Sequence, residues 1–218
     1  MRINKFVAQA TGLSRRAADR IIEEGRVAVN RQPASPGDGV GGEDIVEMDG
    51  QVISAAAEHL TIILNKPSGY VCSRAGQGSR TIYDLLPLEY HRLKPAGRLD
   101  KESSGLLLLT DDGDLANRLT HPKYAKTKVY EVGLDKPLAE LDKTKLEQGV
   151  KVDDYTSSLQ LSAIDSRTWQ VSMSQGRNRQ IRRTFAALGY TVNSLRRDHF
   201  GPYGLDDLAS GKYRICYA

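Results

Sequence analysis

No obvious apolar run in this chain is longer than the four leucines Leu106 to Leu109. A membrane helix needs roughly 18 apolar residues in succession, so these side chains are expected to be buried in short strands and amphipathic helices instead. There is enough apolar material for a core. Of 218 residues, 39% are hydrophobic and 27% charged, a balance that excludes disorder over the whole length. The start, Met1-Arg2-Ile3-Asn4-Lys5, lacks the apolar segment of a secretory signal. Cys72 and Cys216 are too few for a disulfide framework or a zinc cage, and His59, His91, His121 and His199 show no ligand spacing. These features predict a cytoplasmic protein, kept reduced, with no metal.

The formal net charge of +4 is unevenly spread. From Met1 to Arg31, the basic residues Arg2, Lys5, Arg15, Arg16, Arg20, Arg26 and Arg31 outnumber Asp19, Glu23 and Glu24. From Gln32 to Gly50 only acids occur: Asp38, Glu43, Asp44, Glu47 and Asp49. Ser174 to Arg197 then carries Arg177, Arg179, Arg182, Arg183, Arg196 and Arg197 with no acid at all. Two arginine-dense segments point to two surfaces for a polyanion, although solvated helix faces account for either one alone. Arginine rather than lysine throughout the second segment favours phosphate or carboxylate, because the guanidinium fork binds oxyanions bidentately.

The pattern predicts a small first module. A short helix from Asn4 to Thr11 comes first, then one from Arg15 to Glu24 capped by Ser14 and closed by Gly25. Ala17, Ala18, Ile21 and Ile22 form the apolar stripe of the second helix, leaving Arg15, Arg16 and Arg20 toward solvent. Val27 to Val29 and Asp44 to Met48 read as strands, with turns at Asn30-Arg31 and Asp49-Gly50. This module is expected over residues 1–53, followed by a linker over 54–59 and a larger domain over 60–218. In that domain Thr61 to Leu64, Leu106 to Thr110, Val129 to Val132 and Trp169 to Met173 read as strands. Leu138 to Glu147 and Asn178 to Leu188 read as helices closed by Gly149 and Gly189. Strands and helices interleave irregularly, which predicts an α+β fold on a mixed or antiparallel sheet.

Two local signals carry little. Gly76-Gln77-Gly78 is too short for a phosphate loop, and Asp111-Asp112-Gly113-Asp114 lacks the Glu of a calcium loop. The second reads better as a turn in which Gly113 or Asp114 caps a helix from Leu115 to Leu119. Three other segments gain weight together: Gly97-Arg98-Leu99-Asp100-Lys101-Glu102-Ser103-Ser104-Gly105-Leu106, Lys128-Val129-Tyr130, and Gly176-Arg177-Asn178-Arg179-Gln180-Ile181-Arg182-Arg183. Read alone, the first is a polar loop before a buried strand. Jointly they supply a carboxylate at Asp100, a phenol and several guanidinium groups, a set suited to chemistry on a nucleobase or sugar.

In this order and spacing, the three segments resemble the rRNA pseudouridine synthases of the RsuA/RluB type. The first 50 or so residues are similar to the S4-like RNA-binding domain that usually precedes them, through Arg2-Ile3-Asn4-Lys5, Ser14-Arg15-Arg16 and Val27-Ala28-Val29-Asn30. Asn65-Lys66-Pro67-Ser68-Gly69-Tyr70 looks like the family's entry into its catalytic domain. The resemblance implies that Asp100 is the catalytic carboxylate and that Arg182 pairs with it. It implies that Tyr130 stacks on the uracil, against the plainer alternative of a strand tyrosine turned into the core. Arg98 would take part in flipping out the target uridine. Arg2, Lys5, Arg15, Arg16, Arg20, Arg177 and Arg179 would bind RNA. Departures from the family pattern are Ser174-Gln175 and Thr184, outside this set, and an early end at Ala218.

The expected function is therefore site-specific conversion of uridine to pseudouridine in ribosomal RNA, without metal or organic cofactor, by a monomer. The Gly176 to Gln180 segment favours large-subunit 23S rRNA. A small-subunit 16S enzyme, or a non-catalytic RNA-binding or ribosome-assembly protein, is the alternative. DNA binding is disfavoured, since nothing reads as a groove-reading recognition helix.

Overall fold

A computed structural model of the chain describes residues 1–54 and 59–216. Most of the linker expected at 54–59 lies outside the described residues. The chain divides into two compact units, Met1–His59 and Leu60–Ala218.

In the first unit α1 (Ile3–Thr11) and α2 (Arg15–Glu23) precede a four-stranded antiparallel sheet. Its strands are β1 (Val27–Val29), β2 (Gln32–Pro33), β3 (Val46–Met48) and β4 (Gln51–Ile53), in the order β2-β1-β3-β4. The Ser14 hydroxyl accepts from the Ala17 amide and so satisfies one of the free N–H groups opening α2. Ile3, Val7, Ala18, Ile22, Val27 and Val46 form the core of this unit, while Arg15, Arg16 and Arg20 remain exposed. Asn30-Arg31 and Asp49-Gly50 have positive φ at both positions, the geometry of tight hairpin turns. The strands these turns lead into, β2 and β4, are not visible as pattern. Both lie at sheet edges and are largely exposed, so neither shows apolar alternation.

The second unit is built on a nine-stranded sheet. Its strands are β5 (Thr61–Lys66), β6 (Lys94–Ala96), β7 (Ser104–Thr110), β8 (Lys128–Leu134), β11 (Gln160–Ala163), β12 (Thr168–Met173), β13 (Val192–Phe200), β14 (Tyr203–Gly204) and β15 (Tyr213–Cys216). A separate ribbon pairs β9 (Val150–Val152) with β10 (Tyr155–Ser157), and the helices are α3 (Gly113–Thr120), α4 (Glu140–Gln148) and α5 (Gln180–Ala186). The main order is β11-β12-β8-β13-β7-β5-β15. Every pairing is antiparallel except β13 with β7, so the fold is α+β on a mixed sheet.

Strands β5 and β7 sit inside the sheet and are buried on both faces. Ile62, Leu64, Leu107 and Leu109 enter one core, while Ile63, Leu106 and Leu108 enter another, as the two-residue period of a strand requires. Three helix starts in this unit differ from expectation. Asp112, not Gly113 or Asp114, caps α3: its Oδ1 accepts from the amides of Asp114 at 2.8 Å and Leu115 at 3.0 Å. Helix α4 begins at Glu140, because Ala139 at its N-cap is extended and the Leu138 amide donates instead to the Ser166 carbonyl at 3.1 Å. Helix α5 begins at Gln180, because Arg179 at its N-cap takes φ 49° and breaks the helical path.

Gly105 permits the one parallel pairing. Its φ is +100°, and a Cβ there would stand 2.3 Å from the Arg197 carbonyl oxygen. Gly189, at φ +77°, has nothing within 4 Å of the same position. Gly105→Ala should therefore destabilise the fold by about 3 kcal/mol or more, against about 1 kcal/mol for Gly189→Ala. Equal urea midpoints for the two variants would contradict this account of the β7–β13 contact.

Candidate active site

The loop over residues 97–103 joins β6 to β7 and carries Arg98 and Asp100. Gly97, at φ +80°, turns the chain out of β6. Leu99 is buried, and its backbone meets Cys72 on both sides: its amide donates to Sγ and its carbonyl accepts from the thiol, each at 3.4 Å. Ser103, 1% exposed, closes the loop, with its amide donating to the Asp100 carbonyl at 3.1 Å.

Beneath the loop lies Lys66, the last residue of β5, with no exposed surface. Its Nζ donates to the carbonyls of Ser103 at 2.7 Å, Asp100 at 3.1 Å, Pro67 at 3.1 Å and Lys101 at 3.4 Å. Burial pushes the pKa of this amine down, opposed by charge at Cys72, Asp100 and Glu102. A buried ammonium is tolerated only with such partners. Here three of the four partners are backbone carbonyls of the loop itself.

The cation in ion-pair contact with the Asp100 carboxylate is Arg179, whose Nη1 is 3.9 Å from Oδ2. The same nitrogen donates to Glu102 at 2.9 Å, and that bond holds the Glu102 pKa below its usual value. Arg182, the expected partner of Asp100, lies close enough to feel its charge, while its own hydrogen bonds go elsewhere. Arg182 Nη1 donates to the Val192 carbonyl at 2.7 Å, and Nη2 stands 3.5 Å from the Ser103 hydroxyl. Helix α5 faces Arg182 toward the start of β13, which leaves it bracing the base of the loop. Burial and the neighbouring Arg179 charge push its pKa down, while Asp100 and Glu102 oppose them.

Arg98, Asp100, Tyr130, Arg177 and Arg179 line one cavity of about 920 Å³. Tyr130 is 8% exposed and sits in β8, opposite Val171 of β12 and Arg197 of β13, so it belongs to both the core and the cavity wall. Arg98 is exposed at the rim. The Arg177 guanidinium lies 4.3 Å from the centre of the Tyr155 ring, a cation–π contact that anchors the arginine run on the β9–β10 ribbon. Arg2, Lys5, Arg15, Arg16 and Arg20 belong to the other unit. There Arg2 is the N-cap of α1 and Arg15 donates to the Asn4 side chain at 3.2 Å.

Sequence reading gave no individual role to Lys66, Glu102 or Arg197, although it placed Arg197 in the second arginine-dense segment. For Lys66 a signal existed, a lysine ending the run Ile62-Ile63-Leu64-Asn65 with no polar face to leave by. Chemically, the cavity offers a single carboxylate with a guanidinium beside it and a phenol on the wall. That set can deliver a nucleophile or base to one carbon of a substrate, without a second carboxylic acid.

Comparison with known proteins gives a consistent picture. Residues 60–187 match the RNA pseudouridylate synthase family, and residues 1–46 match the S4 domain. An RNA pseudouridine synthase of Aquifex aeolicus is 36% identical, with 98% of this chain and 89% of that protein aligned. The ribosomal small subunit pseudouridine synthase A of Escherichia coli is 36% identical over 98% of this chain and 95% of that protein. A crystal structure of a pseudouridylate synthase superposes with a TM-score of 0.71 at 32% identity, over 100% of this chain and 96% of that one.

The Lys66 cage makes a definite prediction. Lys66→Met leaves four carbonyls without their shared donor, and at about 1–3 kcal/mol for an unsatisfied buried group it should lower stability by about 2–4 kcal/mol. Hydrogen exchange at the Ser103 amide should rise with it. An unchanged denaturation midpoint and an unchanged Ser103 exchange rate would show that the cage does not hold the loop.

Proposed function

The chain belongs to the RNA pseudouridylate synthase family, and we propose that it converts one uridine to pseudouridine in small-subunit ribosomal RNA. The observation that carries this reading is the presentation of Asp100: one carboxylate, fixed through its backbone and open to a cavity with Tyr130 on its wall. Pseudouridine formation breaks the N1–C1′ bond of a uridine, turns the uracil and rejoins it to C1′ through C5. The C5 proton is lost, and N1 takes up a proton. An ionised carboxylate serves either by attacking C1′ or by removing the 2′ proton. Asp100 takes that role, with the Arg179 guanidinium beside it.

Tyr130 lies where a base turned into the cavity would rest against its ring. Arg98, at the rim, fills the place of a base leaving its stack. Arg182 acts at one remove, through Ser103 and the start of β13. Arg177 and Arg179 are the cavity's contacts to phosphate, and in the S4-like unit Arg2, Lys5, Arg15, Arg16 and Arg20 add salt-dependent affinity for the RNA backbone.

The small subunit is preferred over the large one on the strength of alignments spanning almost the whole chain. The Gly176 to Gln180 segment, which alone favoured 23S rRNA, is only four loop residues and the first residue of α5. The purified protein should be incubated with small- and large-subunit rRNA, both free and partly assembled, and pseudouridines mapped. One new pseudouridine in small-subunit rRNA is expected. Modification confined to large-subunit rRNA would overturn the choice of target, and none in any RNA would overturn the reaction.

A further inference from the structure

The cavity has a second charged corner, built on strands β8 and β13. Along β13 the register against β8 shifts between Arg197 and His199. Arg197 lies opposite Tyr130, and Phe200 opposite Lys128. Residues three apart on a regular strand point to opposite faces, so this bulge is what brings Arg197 and Phe200 to the same one. The Phe200 ring is 1% exposed, and two cations stand over it: Arg197 with its guanidinium carbon 4.8 Å from the ring centre, and Lys128 with its amine 5.0 Å away.

Neither cation makes an ion pair among the described residues. Arg197 is 2% exposed; its Nε donates to the Leu106 carbonyl at 2.8 Å, while its Nη2 is buried with no hydrogen-bond partner. Lys128 donates to the carbonyls of Lys126 and Ser174, both at 3.1 Å. Burial pushes the Lys128 pKa down, and the Arg197 charge adds to it. Two like charges over one buried ring, close enough to act on each other and one with a donor to spare, are costly unless an anion joins them.

The corner is also left open by glycine on two sides. A Cβ at Gly176 would reach within 3.7 Å of Lys128 Cε and 3.8 Å of its Nζ, and one at Gly97 would come within 3.7 Å of the Phe200 ring. Gly97, Gly176, Lys128, Arg197 and Phe200 all line the cavity that holds Asp100.

We propose that Lys128 and Arg197 form an anion subsite that takes the phosphodiester adjoining the target uridine. A phosphodiester brings one negative charge and two non-bridging oxygens, one for each cation, and it would fix the nucleotide's backbone while Asp100 addresses its sugar. The inference rests on the reaction proposed above, yet its test needs no turnover.

Binding of uridine, uridine 5′-monophosphate and uridine 3′-monophosphate to the full chain is to be compared by NMR titration. At least one monophosphate should bind about 10-fold more tightly than the nucleoside, the worth of one charge-assisted hydrogen bond. Which of the two does so tells on which side of the uridine the phosphate sits. The preference should vanish in Lys128→Met, which removes the charge, and in Gly176→Leu, which keeps both cations and covers the amine. Circular dichroism shows whether each variant is folded. Equal binding of all three ligands by the wild-type protein overturns the subsite, as does a preference that survives in Lys128→Met or, should that variant not fold, in Gly176→Leu. A wild-type protein that prefers the phosphate but makes no pseudouridine contradicts the reaction instead.

Discussion

An ammonium shut away from water must find acceptors, and Lys66 finds all of its acceptors in backbone carbonyls. Three of the four belong to the loop that carries Asp100. The rest of the site follows from this arrangement. Strand β5 lies between β7 and β15 and is fully buried, so the position of Nζ is set by the sheet. The loop then has to bring its carbonyls to that fixed point, and the Asp100 side chain is left facing the cavity. A scaffold strand thus holds the reactive loop, which gives a tighter placement than a loop supported only by its own turns.

Around this anchor the arginines divide the work. Arg182 is tied to the Val192 carbonyl and reaches Ser103, so it supports the loop from the β13 side. Arg179 supplies the charge next to the carboxylate and is itself steered by Glu102. Its left-handed backbone at the N-cap of α5 directs it to the loop instead of along the helix. On the far strands, the bulge in β13 collects Lys128, Arg197 and Phe200 into the corner where no carboxylate answers the charge.

Much of this was legible in the sequence, and the limits have physical causes. The buried strands announced themselves through Thr61 to Leu64 and Leu106 to Thr110, because a strand covered on both faces must be apolar throughout. Ser14, Gly25 and Gly149 marked helix ends correctly, since capping is a local matter. The edge strands β2 and β4 were missed because exposed strands carry no pattern. The convergence of Arg98, Asp100, Tyr130, Arg177 and Arg179 on one cavity came from resemblance, as no spacing along the chain encodes it. That Arg179 as well as Arg182 acts on Asp100 was not foreseen. Which of Arg179 and Arg182 reaches the carboxylate depends on where α5 begins, and that rests on a single left-handed residue that no propensity foretells.

The central claim is that Asp100 is the one carboxylate that performs the reaction, so the most direct measurement is turnover by Asp100→Asn. This change keeps the size and hydrogen-bonding capacity of the side chain while removing its charge. The account predicts that the variant folds and binds ribosomal RNA like the wild-type protein, with pseudouridine formation lost. Appreciable pseudouridine formation by the folded Asn variant would contradict it.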